Sequence, residues 1–160
     1  MYKRQANNVL LTLPPAKSED GDDGDIKVSD FGLSKASTNN SRSLAHAGTT
    51  VCGTPNCFSP ELVNGERYGA PSDAWAVGLL AYEILTLQHP FVSGSLAALL
   101  KRISDGEYDR HALADAPHPA ELREIASSSS LLHVDPQQRA TLEEVLQRPV
   151  IAVQASACVA

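Results

Sequence analysis

The sequence predicts an α+β fold, mostly α-helical: a short β-hairpin, a long irregular loop, then a helical body. Three observations predict it. Two short apolar runs, Val9-Leu10-Leu11 and Ile26 with Val28, flank a Pro- and Asp/Gly-rich segment. Residues 33 to 58 are rich in Ser, Thr, Asn and Gly and show no steady period. From residue 72 onward, apolar residues recur at helical spacing between recognisable caps.

The chain has 160 residues, enough for one domain. Hydrophobic residues make up 42% and charged residues 20%, the balance of a globular protein. The formal net charge of −6 argues against nucleic acid as a partner, which calls for a basic face. No signal peptide is visible in the polar first eight residues, and no apolar stretch is long enough to span a bilayer, so no membrane role is expected. Cys52, Cys57 and Cys158 are odd in number and lack metal-ligand spacing. They read as reduced thiols of a cytoplasmic protein, with nuclear or cytoskeletal association left open.

The elements follow in order. Val9-Leu10-Leu11 makes the first strand, which Pro14-Pro15 ends. The acidic residues 17–25 suggest a calcium loop, but counting from Asp20 puts Gly24 at the fifth position and Asp25 at the sixth, where glycine is needed. A solvated hairpin loop fits better. Ile26 and Val28 alternate with Lys27 and Ser29 in the returning strand. After the long loop, Ser72 or Asp73 is expected to cap a helix running to about Leu87. Its residues 74–82 have no polar face, which places it at the centre of the protein. Ser95 caps the next helix, with Leu96, Leu99, Leu100 and Ile103 on one face and Gly106 closing it. Pro119 opens a third at its first turn, with Leu122 and Ile125 inward. Thr141 and Glu144 have capping-box spacing for a last helix carrying Leu142, Val145 and Leu146.

Several short motifs stand on this frame. The strand at Ile26–Val28 delivers Asp30-Phe31-Gly32 into the long loop. Further on come Gly53-Thr54-Pro55, Ser59-Pro60-Glu61, Ser72-Asp73-Ala74-Trp75-Ala76-Val77-Gly78 and Asp135-Pro136-Gln137-Gln138-Arg139. In this order they resemble the C-terminal lobe of a eukaryotic protein kinase, from the end of a catalytic loop at Asn8 to about Pro149. The interval from Asp30 to Glu61 suits an activation segment. Ser59-Pro60-Glu61 stands where kinases carry Ala-Pro-Glu. With the Trp75-Ala76-Val77-Gly78 run and Thr86-Leu87-Gln88-His89-Pro90-Phe91, it is most similar to the NIMA-related (Nek) serine/threonine kinases. On this reading residues 1–149 are a partial kinase domain and residues 150–160 a short tail.

The resemblance implies ATP and Mg²⁺ as cofactors and a protein substrate. Asp30 would bind the Mg²⁺ that bridges the ATP phosphates and Asn8 a second one, both hard oxygen donors. A turn aspartate and a strand-capping asparagine are the plainer alternatives. Phe31 would pack as the switch element and Gly32 let the backbone turn. Thr54 would help shape the substrate site. Thr50 would be the activation-loop site of an upstream activating kinase, and Lys35 a basic partner for the phosphate. Two exposed loop residues remain the alternative, and Thr49 and Ser43 are competing acceptors. Glu61 and Arg139 would form a buried, structural ion pair, and Asp73 would accept N–H bonds from the catalytic loop or simply cap its helix. None of the five histidines is given a catalytic role.

A whole kinase also has a Gly-rich loop, a strand lysine, a helix glutamate and a His-Arg-Asp loop, and this sequence shows none of them. Counting back from Asn8 without gaps puts Lys3 at the catalytic Asp position, so no catalytic residue is intact. Lysine cannot accept a proton as a carboxylate does, and a general base contributes about 10²–10⁴ in rate. The expectation is a truncated serine/threonine kinase, inactive alone. The alternative is a non-catalytic kinase remnant that serves as a protein-binding module.

Overall fold

The computed structural model describes residues 9–12, 25–29, 55–66 and 68–151. The chain divides into two compact units, residues 1–41 and 42–160. In the first, β1 (Val9–Thr12) and β2 (Asp25–Val28) form an antiparallel ladder with Val9 opposite Val28 and Thr12 opposite Asp25.

The second unit is helical. A 3₁₀ turn at Pro55–Cys57 leads into α1 (Pro60–Val63), followed by α2 (Ala70–Thr86), α3 (Leu96–Asp105), α4 (Arg110–Ala114), α5 (Ala120–Ile125) and α6 (Leu142–Leu146). The longest, α2, starts before the expected caps. Gly69 is its N-cap, and Ser72 and Asp73 lie inside it. Pro71 sits in the first turn, where a missing N–H costs nothing because those donors have no intrahelical partner. The helix stops where Leu87 turns left-handed at φ 59°, its N–H donating to the Glu83 carbonyl.

One side of α2 carries the core. Trp75 and Tyr82 are fully buried, and Leu79 and Leu85 lie with them. Trp75 stacks on Phe91 with ring centroids 5.6 Å apart, while Tyr108 meets Tyr82 and Phe91 edge-on. The Tyr82 hydroxyl donates to the Asp109 carbonyl at 2.7 Å, so the buried ring keeps its polar tip satisfied. Gly78 is where α2 meets the 131–132 turn. A Cβ there would stand 2.8 Å from Leu131 Cβ, a distance only glycine permits. On the other side of α2, Ala76, Val77 and Ile84 are exposed. Apolar composition signals burial, but it does not supply the element that covers each face.

The shorter helices are set by their caps. Ser95 accepts the Ala98 N–H and Gly106 closes α3 at φ 65°. Leu99 and Ile103 are buried as expected, but Leu96, in the first turn, is exposed. Pro119 precedes α5 as its N-cap instead of occupying its first turn. The extended ψ of 144° at Pro119 keeps it outside the helix. In α6, Thr141 Oγ1 accepts the Glu144 N–H and Glu144 Oε2 accepts the Thr141 N–H, a reciprocal capping box. Val145 is buried there and Leu146 is exposed. Helices α1 and α4 were not expected. Asp109, whose carboxylate accepts the His111 and Ala112 N–H groups, is the signal for α4.

Candidate functional site

The described part of the site is built around one carboxylate. Pro60 at the first position of α1 fixes the turn that carries Glu61, and both side chains are buried. Glu61 receives Arg139 from 78 residues further along the chain. Arg139 Nη1 donates to Glu61 Oε1 and Nη2 to Oε2, both at 2.9 Å. This is the parallel two-bond geometry for which guanidinium and carboxylate are matched. The side chains are 0% and 2% exposed.

A buried pair is stable only if the rest of its hydrogen-bonding capacity is met. Here it is. Arg139 Nε donates to the His133 carbonyl at 2.9 Å, Nη1 also to the Pro71 carbonyl at 2.6 Å, and Nη2 also to the Val134 carbonyl at 3.2 Å. All the donors of the guanidinium are thereby used. Its plane lies over the Trp75 ring, 5.0 Å from the centroid. Ser72 Oγ donates to Glu61 Oε1 at 2.6 Å. Burial alone would push the Glu61 carboxyl up. The hydrogen bonds from Arg139 and Ser72, with the charge of Arg139, outweigh it and hold the carboxyl down at about 2. One network thus ties together α1, the first turns of α2 and the 133–139 turn.

Asp73 is exposed on α2, and its carboxylate accepts the Tyr68 hydroxyl. Burial and that bond push the Tyr68 hydroxyl up to about 12. An open groove of about 520 Å³ runs beside the ion pair, lined by Glu61, Glu66, Pro71, Ser72, Pro136 and Gln137 among others. Histidines 89 and 133 act as local caps, their Nδ1 atoms accepting the Phe91 and Asp135 N–H groups.

Asn8, Asp30, Phe31, Gly32, Lys35, Thr50 and Thr54 lie outside the described residues, as does Lys3. Of the expected site residues, the structure brings together Glu61 and Arg139 and leaves Asp73 apart from them, with Tyr68. Sequence reasoning missed Ser72 as the second partner of Glu61 and Trp75 as the surface beneath Arg139. Ser72 was legible only as a helix cap, because a donor to a distant carboxylate leaves no local pattern. Among the described residues no group of three or more His, Cys, Asp or Glu could hold a metal, and no helix is long and apolar enough to cross a membrane.

Comparison with known proteins supplies the class. The protein kinase domain matches residues 6–151, so the chain belongs to the protein kinase family. It is 38% identical over 127 residues to the probable serine/threonine-protein kinase nek3 of Dictyostelium discoideum, covering 79% of this chain and 10% of that protein. It is 34% identical over 125 residues to the serine/threonine-protein kinase Nek8 of Danio rerio, covering 78% of this chain and 16% of that protein. Calcium/calmodulin-dependent protein kinase type 1 of Caenorhabditis elegans stands close by, at 36% over 133 residues, 82% of this chain and 35% of that protein. Nek kinases thus recur among its relatives, and the chain spans about a third of their length or less.

Proposed function

We propose that these residues form the C-terminal lobe of a serine/threonine protein kinase, which transfers a phosphoryl group from ATP to protein Ser or Thr when an N-terminal lobe completes the nucleotide site. The observation that carries this reading is the buried Glu61–Arg139 pair within the family match. It would anchor the end of the activation segment to the helical body and so fix where a substrate hydroxyl is presented. Asp30 and Asn8 are hard oxygen donors of the kind Mg²⁺ requires. Bound there, Mg²⁺ would bridge and neutralise the ATP phosphates. Thr54 would shape the substrate site, and a phosphate on Thr50, placed by an upstream kinase, would pair with Lys35. Lys3 at the base position leaves this chain without a carboxylate to take the substrate proton.

The 160-residue chain is expected to show no ATP-dependent phosphorylation of a generic protein substrate. Robust activity that Asp30→Ala abolishes would overturn this. A second reading, a non-catalytic kinase remnant that binds other proteins, is favoured by the exposed apolar side of α2, where Val77 is 39% and Ile84 60% exposed. The endogenous protein's intact mass separates the two. A mass near 17.0 kDa favours the remnant, and a much larger one favours a kinase of which this chain is a part.

A further inference from the structure

The exposed apolar residues of α2 form a continuous strip. Ala74, Val77, Ala81 and Ile84 follow one another at intervals of three and four residues, so they lie along one line of the helix, and Leu80 widens it. Ala74 is buried, Leu80 and Ala81 are half-buried, and Val77 and Ile84 are exposed. The strip therefore runs without a break from the core to the surface. No charged residue lies between Asp73 and Glu83 on this helix.

The chain comes back to the edge of this strip at Val150 and Ile151. Both pack against the cluster of Ala74, Ile125, Leu131 and Val145, and Ala81 packs against the same cluster. Residues 149–151 are helical, with the Ile151 N–H donating to the Arg148 carbonyl at 2.9 Å. Ala152-Val153-Gln154-Ala155-Ser156-Ala157-Cys158-Val159-Ala160 follow, outside the described residues. This run carries no charge, and every residue in it but Gln154 and Ser156 is Ala, Val or Cys. It can therefore meet an uncharged strip without burying an ion. Its reach is sufficient. From Val77 to Ile84 the strip is about 10 Å long, against about 14 Å for the run as a helix and up to about 30 Å when extended. Leu146 is exposed and nearer in the sequence, but it is flanked by the exposed polar residues Glu143 and Gln147 and offers no strip. We propose that residues 152–160 fold back along α2 and cover Val77, Leu80 and Ile84, led there by Val150 and Ile151. Such a cover is independent of catalysis, and a protein partner would have to displace it to reach the strip.

Cys158 supplies the test. The full 160-residue chain is made with Cys52→Ser and Cys57→Ser, and to it is added Val77→Cys, Ile84→Cys or, as the control, Leu146→Cys. All three added positions are exposed, so unchanged circular-dichroism spectra are expected. With oxidised glutathione at low protein concentration, Cys158 should join the new cysteine in Val77→Cys or Ile84→Cys about tenfold faster than in Leu146→Cys, because a seated segment has the higher effective concentration. Mass spectrometry of the linked peptides reads the pair. Deleting residues 152–160 should raise the binding of the apolar dye anilinonaphthalene sulfonate. Joining at Val77 and Ile84 no faster than at Leu146 overturns the proposal, as does a deletion that leaves dye binding unchanged. Linked dimers whose yield rises with protein concentration also overturn it, giving the strip to a second copy of the chain.

Discussion

Two ion pairs in the helical unit look alike by distance and differ in everything that sets their worth. Lys101 and Asp105 are four residues apart on α3, 2.5 Å from nitrogen to oxygen, with side chains 76% and 39% exposed. Arg139 and Glu61 are 78 residues apart, 2.9 Å, and sealed from solvent. The shorter contact is the weaker one. Water screens the charges on α3 and competes for them, and the long lysine side chain must be held still to make the bond. In the Glu61 network both side chains are buried, the geometry is bidentate, and the remaining donors of Arg139 end on carbonyls fixed by the backbone. Separation along the chain matters as well. The local pair joins a helix to itself, while the distant pair closes a long loop and holds three elements in register.

The largest effect should come from breaking the buried pair from one side. Arg139→Ala strands Glu61 as an uncompensated buried carboxylate and frees three backbone carbonyls, so a loss of about 3–5 kcal/mol is expected. A urea titration followed by helical circular dichroism checks it. A loss no greater than that of a surface variant would show that water enters the site. The same pair has a pH signature. The Glu61 carboxyl titrates near 4.5 when unpaired and about 2 in the folded chain. Its folded value is depressed, so its contribution is complete above about 4.5 and drains away as pH falls towards about 2. In Glu61→Gln the stability lost across that interval should be smaller than in the parent, measured as urea midpoints at a series of pH values.

Next in size is the contact that lets α2 approach the 131–132 turn. Gly78→Ala would set a methyl group 2.8 Å from Leu131 Cβ and 3.2 Å from the Leu131 backbone carbon. Neither is the loose end of a flexible side chain, so the turn must shift. Overpacking of this kind typically costs about 1–3 kcal/mol. The urea midpoint should fall, and an unchanged midpoint would mean that the turn moves away freely.

These two sites also mark how far the sequence could be read. Glu61 and Arg139 were legible as a pair because each stands in a short motif with a family role, though nothing local links them. Ser72, which shares the same carboxylate, was not, since a serine near a helix start has a sufficient local explanation as a cap. The caps at Ser95, Gly106 and Thr141 were legible because their physics is confined to four or five consecutive residues. The exposure of Leu96, Leu146 and Ile84 was not, because periodicity says which residues share a face and says nothing of what lies opposite. The unexpected α4 belongs with the caps. Asp109 followed by Arg-His-Ala-Leu-Ala carries a start signal in a stretch too short to show a period.

A smaller effect is expected at the Thr141 cap, the local device closest in kind to the pair on α3. Thr141→Ala removes the acceptor for the Glu144 N–H while leaving Glu144 free to bond the residue 141 N–H. About 1 kcal/mol should be lost. Thr141→Ser keeps the oxygen and should recover most of it, which separates the cap from the loss of the threonine methyl. If Thr141→Ser is as damaging as Thr141→Ala, packing against the Val145 cluster, and not the hydrogen bond, is what Thr141 provides.

The smallest expected effect is the one that sharpens the comparison most. Lys101→Ala deletes the shortest ion pair among the described residues, and the urea midpoint should not move measurably. Alanine has a slightly better helix propensity than lysine, and this offsets what little the pair contributes. The replacement also leaves Asp105 near the α3 C-terminus, where the helix dipole disfavours a negative charge. Salt tells these terms apart. In the parent, raising ionic strength should erase any residual contribution of the pair, so parent and Lys101→Ala converge, whereas the gap between the parent and Arg139→Ala should persist, because screening reaches buried charges poorly. A gap for Lys101→Ala that grows with salt would mean that the lysine acts through its apolar stem, and the two pairs would then differ in kind as well as in degree.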